Sequence, residues 1–72
     1  MASKILVGNV GKILSGEGVG MFVEVRNSPD TGGFLILTSK YASMEGAFDD
    51  WVPNESSLNK YFDECLWSIE WL

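Results

Sequence analysis

Residues 54–72 carry the clearest pattern of apolar and polar positions in the chain. Leu58, Tyr61, Phe62, Cys65 and Leu66 recur at i, i+3, i+4, i+7 and i+8, a single apolar stripe of helical period. Asn59, Lys60, Asp63 and Glu64 fill the opposite side. Asn54, after Pro53, is a good N-cap, and Glu55 sits where the helix dipole favours a negative charge. A helix is therefore predicted to start at 54–55. At Trp67 the period changes to two, with Trp67, Ile69 and Trp71 on one side and Ser68 and Glu70 on the other. This predicts a closing strand over 67–72.

Period two also marks 20–26, where Met21, Val23 and Val25 alternate with Phe22, Glu24 and Arg26. Residues 27–33 then concentrate turn formers. Pro29 presets its φ, Asp30 can bond its own backbone, and Gly32 and Gly33 accept positive φ. The returning strand, 34–39, is apolar on both faces, which suits a central position. Residues 3–14 are ambiguous. Leu6, Val7, Val10, Ile13 and Leu14 fit a helical stripe with Ser3 as N-cap, so this segment reads as a helix. Against it, Gly8 and Gly11 each cost a helix about 1 kcal/mol relative to alanine, and Ile5-Leu6-Val7 could open a strand. Gly16 or Gly18 ends the element in either case. Residues 40–50 show no strong period. Tyr41, Met44 and Phe48 allow one short helical turn, and Gly46 opposes a longer one.

The predicted order is α-β-β-α-β in the α+β class, with helices packed on one face of a small antiparallel sheet. That sheet has three strands, or four if the first segment is a strand. The other sheet face is left partly bare. It is lined by Phe22, Glu24, Arg26, Ser68 and Glu70, together with either Leu35 and Leu37 or Phe34 and Ile36.

Composition narrows the class. A chain of 72 residues with 46% apolar content is expected to form one domain, 1–72, rather than a disordered segment. A domain of this size buries only about 60–65% of its unfolded surface. Its core then supplies a net stability of about 3–5 kcal/mol. Cys65 is the single cysteine, so no internal disulfide forms, which fits a reducing compartment and predicts a cytoplasmic protein. No apolar run approaches the roughly eighteen residues of a membrane span, and the N-terminus lacks a cleavable signal pattern.

Charge adds an asymmetry to the formal net of −5. In residues 1–44, Lys4, Lys12, Arg26 and Lys40 nearly balance Glu17, Glu24 and Asp30. In residues 45–72, Glu45, Asp49, Asp50, Glu55, Asp63, Glu64 and Glu70 face Lys60 alone. Direct nucleic-acid binding needs the opposite sign, because phosphate contacts call for Lys and Arg. An acidic half favours a basic protein partner by electrostatic steering, or serves only as a solvated surface that aids solubility.

Candidate chemistry is sparse. The chain has no histidine, so neither a Ser–His–Asp nor a Cys–His arrangement can be assembled. Cys65 lies on the apolar stripe near a helix C-terminus, where burial and the dipole both raise a thiol pKa, so it reads as a small core residue. The glycines at 16, 18 and 20, and at 8 and 11, match no phosphate loop, since no Lys-Ser or Lys-Thr follows at the needed spacing. Asp49, Asp50, Asn54 and Glu55 are rich in oxygen but fit no EF-hand loop, and local backbone bonding explains them better than calcium or magnesium. No enzyme activity, cofactor or metal is therefore expected. What remains is recognition. Trp51 beside two aspartates has the aromatic-plus-charge character of interface hot spots, whereas Trp67 and Trp71 belong to a core-facing strand.

Phe48-Asp49-Asp50-Trp51-Val52, then Leu58, Phe62 and Glu64, then 67–72, together with the hairpin through Val23–Arg26 and 31–37, resembles small acidic bacterial immunity proteins. The resemblance is one of overall style and carries over no residue's role. It implies a cytoplasmic protein that neutralises a toxin by binding it through an acidic surface. The expected contact residues are Glu45, Asp49, Asp50, Trp51, Glu55, Asp63 and Glu64. The alternative is a structural or regulatory protein that forms a homodimer through the exposed sheet face.

Overall fold

Five short strands make up the sheet of this chain, each needing a neighbour for its backbone. The structure, a computed structural model, describes residues 5–72. Its elements are β1 (Val10–Ser15), β2 (Phe22–Ser28), β3 (Gly33–Ser39), β4 (Phe48–Val52), α1 (Glu55–Glu64) and β5 (Ser68–Trp71). The strands form one antiparallel sheet in the order β4-β3-β2-β1-β5. The protein is thus a small α+β fold, with one five-stranded sheet and, among the described residues, one helix. That helix is not long and apolar enough to cross a membrane.

The register assigns every side chain to a face. Val23, Val25, Ile36, Ile13 and Val52 point to the helix side, where they form the core with Leu58 and Phe62 of α1. Trp67, Ile69 and Trp71 pack against this cluster. The Trp67 ring meets Phe62 edge-on with centroids 4.8 Å apart, and Trp71 stacks on Phe62 at 6.5 Å. Phe22, Glu24, Arg26, Leu35 and Leu37 share the uncovered face, and Phe34 and Ile36 lie on the covered one. On the uncovered face Arg26 pairs with Glu24 at 3.1 Å. The helix begins as its sequence predicts, because the Asn54 side chain accepts the Ser57 amide at 2.8 Å.

Three expectations are corrected. The described residues 5–14 of the segment read as a helix over 3–14 do not form one. From Val10 the chain is strand β1, held between β2 and β5, and Gly8 has φ of 90°. Ser3, the expected cap, lies outside the described residues. Gly11, which argued against a helix, has a packing role instead. A Cβ there would stand 2.8 Å from the Trp71 ring, so only glycine lets β5 close over β1. Residues 40–50 hold a single turn closed by the Met44 amide on the Tyr41 carbonyl at 2.9 Å, which does not continue as a helix. Tyr41 and Phe48 are exposed, Met44 adopts φ of 62°, and Phe48 opens β4, which raises the sheet to five strands. The apolar stripe of α1 stops short of Leu66. Cys65 is the C-cap, and Leu66 takes the left-handed conformation at φ 57° with 77% of its surface exposed. Among the described residues, one helix therefore covers the sheet.

Candidate protein-binding surface

Strand β4 is five residues long and lies at an edge of the sheet, so among the described residues one side of its backbone has no strand beside it. Its register with β3 sets Phe48, Asp50 and Val52 toward the helix side and Asp49 and Trp51 toward the uncovered side. Each face of the edge therefore presents one aromatic ring and one carboxylate. Only Val52 is buried, whereas Phe48 is 73% and Trp51 46% exposed. The residues across from Asp49 and Asp50 on β3 are Leu37 and Ile36, which offer no cation.

Local contacts position Trp51 and Asp50. The Trp51 indole donates to the Thr31 hydroxyl at 3.0 Å, so the ring lies along the β2–β3 turn. Gly33 makes this possible. A Cβ there would meet the Val52 carbonyl oxygen and stand 2.6 Å from the indole nitrogen. Asp50 accepts the Trp51 amide at 3.2 Å. Before β4, buried Ser39 ties down the 40–47 loop: its hydroxyl donates to the Glu45 carbonyl at 2.7 Å and accepts the Tyr41 amide at 3.1 Å. A rigid aromatic ring loses little entropy when a partner covers it.

The expected contact residues fall into separate groups. Asp49, Asp50 and Trp51 are adjacent on β4, Glu45 sits in the loop that leads into it, and Glu55 follows in the first turn of α1. Asp63 and Glu64 lie at the far end of the helix, about 12 Å along its axis from Glu55 at 1.5 Å per residue. The strand thus gathers three of the seven, and the helix carries three more along its exposed side. Phe48 belongs with the β4 group but was read as part of a helical turn. The signal that could have found it is the aromatic-acid-acid-aromatic run directly before Pro53.

A second feature is a cleft of about 220 Å³ where the end of α1 leaves the sheet uncovered, lined in part by Ile13, Glu17, Met21, Tyr61, Cys65 and Trp67. Burial, followed by the negative charge of Asp50, pushes the Tyr61 phenol up to about 12. Burial, followed by the charge of Glu17, raises the half-buried Cys65 thiol. Both groups therefore stay protonated at neutral pH. Neither is poised as a nucleophile. Among the described residues, no group of three or more acidic, cysteine or histidine side chains is arranged to hold a metal ion.

Compared with protein-family models, with curated proteins and with solved structures, the chain matches none of them.

Proposed function

We propose that this protein is a non-enzymatic binding module, an immunity-like or antitoxin-like inhibitor that engages a basic protein partner through an acidic, aromatic surface. The observation that carries this reading is the β4 edge, where exposed Phe48 and Trp51 flank Asp49 and Asp50 on a strand that has, among the described residues, no neighbour on one side. Exposed aromatic groups beside charge are what binding surfaces use for affinity, and uncompensated carboxylates select a partner of opposite sign. Supporting it, the exposed side of α1 adds Glu55, Asp63 and Glu64 against Lys60. The neutral thiol and phenol in the cleft offer no activated nucleophile.

The test compares capture of proteins from the native host's lysate by the wild type and by a variant with Asp49→Asn, Asp50→Asn, Asp63→Asn and Glu64→Gln. A single basic protein that the wild type retains, that rising salt releases and that the variant fails to hold is the expected result. Equal retention by both, with the same salt dependence, overturns the reading.

A second reading, a homodimer through the uncovered sheet face, is favoured by Phe22, Leu35 and Leu37, which lie half-buried there without a covering helix. Sedimentation equilibrium at high concentration tests it, and a monomer mass removes it.

A further inference from the structure

The backbone of β4 identifies how a partner can bind, an inference that rests on the binding-module reading above. In an antiparallel pair each residue either exchanges both its N–H and C=O with the residue opposite or turns both away. The Trp51 amide is held by the Asp50 carboxylate rather than by β3, so Trp51 is a residue that turns outward. Alternation makes Asp49 another, while Phe48, Asp50 and Val52 bond inward to β3. The outer side of β4 therefore presents the N–H and C=O groups of Asp49 and Trp51 at the spacing an added strand needs, and the added strand takes the Trp51 N–H over from the Asp50 carboxylate.

We infer that the β4 edge takes up an extended, basic segment of the partner as a sixth strand of the sheet. Side chains decide the chemistry of that segment. Asp49 and Asp50 point to opposite faces, so two adjacent basic residues on the added strand, one on each face, meet one carboxylate each. Apolar residues on either side of that pair lie against Phe48 and Trp51, whose exposed rings flank the acids. The complementary segment reads apolar-basic-basic-apolar. Backbone pairing supplies affinity here, and alternating side chains supply specificity.

Charge separates this occupant from a second copy of the chain. Two β4 edges laid side by side would bring their aspartates together, and like charges placed opposite one another destabilise a strand pair. The other edge, β5, differs in kind. Its only side-chain carboxylate, Glu70, has Lys12 of β1 opposite it in register, whereas Asp49 and Asp50 have no cation opposite them. Self-pairing is disfavoured at β4, and a basic strand is favoured there.

The experiment titrates the ¹⁵N-labelled full chain with a blocked hexapeptide, Thr-Val-Lys-Lys-Val-Thr, and follows amide shifts and hydrogen exchange. The expected result is that shifts concentrate at residues 48–52 and that exchange of the Asp49 and Trp51 amides slows. Two further peptides carry N-methyl groups on alternate residues, in one register or the other, with no change in charge. One register should lose about tenfold or more in affinity, since it forfeits the backbone bonds to β4, while the other binds as before. On the protein, Asp49→Pro removes an outward N–H that the sheet does not use, so it should fold yet fail to bind. Asp49→Asn should weaken binding only a few-fold. Binding that is indifferent to N-methylation, or Asp49→Pro binding like Asp49→Asn in a folded chain, overturns strand addition while leaving electrostatic binding intact. So does an absence of binding by any peptide, or a dimer that Asp49→Pro abolishes. Failure of the binding-module reading is seen separately, in the lysate comparison with the charge-neutralised variant.

Discussion

Phe48 and Phe62 are the same residue type at two ends of one segment, and the fold gives them opposite roles. Phe62 is 4% exposed, set among Leu58, Val25 and Ile36, with its ring against Trp67 and Trp71. Phe48 is 73% exposed on the edge strand. Truncating a fully buried Phe to Ala costs about 3–5 kcal/mol, through lost transfer energy and the cavity left behind. The aromatic pairs add about 0.5–1.5 kcal/mol of that stabilisation. A domain of this size holds only about 3–5 kcal/mol in total. Phe62→Ala should therefore be largely unfolded at 25 °C. The milder Phe62→Leu, which keeps apolar volume but loses the ring contacts, should cost about 1–2 kcal/mol. Phe48→Ala should stay within about 0.5 kcal/mol of the wild type, as exposed substitutions do. Urea unfolding, followed by far-ultraviolet circular dichroism and by tryptophan fluorescence, measures all three. A Phe48→Ala loss above about 1 kcal/mol, or a Phe62→Ala variant that melts like the wild type, would refute the assignment of the core.

Asn54→Ala removes the side-chain bond to the Ser57 amide and should cost about 1 kcal/mol, seen as a fall of about 4–8 °C in Tm. Leu66→Gly relieves a left-handed backbone at φ 57° while giving up little burial, so Tm should rise or hold, and a clear fall would count against the strain. Tyr61 gains stability from its protonated form, because its pKa in the fold, about 12, lies above the ordinary 10. That gain is present in full below pH 10 and is lost as pH rises toward 12, so the stability difference between wild type and Tyr61→Phe should change only in that window. Absorbance at high pH should show one phenol titrating late, and Tyr61→Phe should remove it. Cys65, its thiol raised by burial and by Glu17, should react with a thiol reagent more slowly at mildly alkaline pH than it does in the urea-unfolded chain.

What the sequence determined by itself lies where a local pattern has one reading. The stripe Leu58, Tyr61, Phe62 and the Asn54 cap specify α1, since a helix satisfies its own backbone and needs only one apolar side. The alternation in β2 and the turn formers of 27–33 specify the hairpin with β3, because short-range pairing and two-sided apolarity are both written locally. Trp71 and Ile69 were placed on the core side for the same reason. Asp49, Asp50 and Trp51 were legible as a cluster because they are neighbours in the chain.

Tertiary structure decided the rest. Whether residues 10–15 form a helix or a strand depended on β5, more than fifty residues away, whose arrival beside Gly11 offers backbone partners that no local pattern records. β4 was hidden because an edge strand exposed on both faces has no burial to impose alternation, so Phe48-Asp49-Asp50-Trp51 carries no period-two hydrophobic signal. Leu66 fits the stripe by spacing alone, yet the helix ends at Glu64 with Cys65 as its cap, and Trp67 turns back onto Phe62. Local periodicity reports which side chains prefer burial, but hydrogen-bond partners distant in sequence decide which backbone can accommodate them.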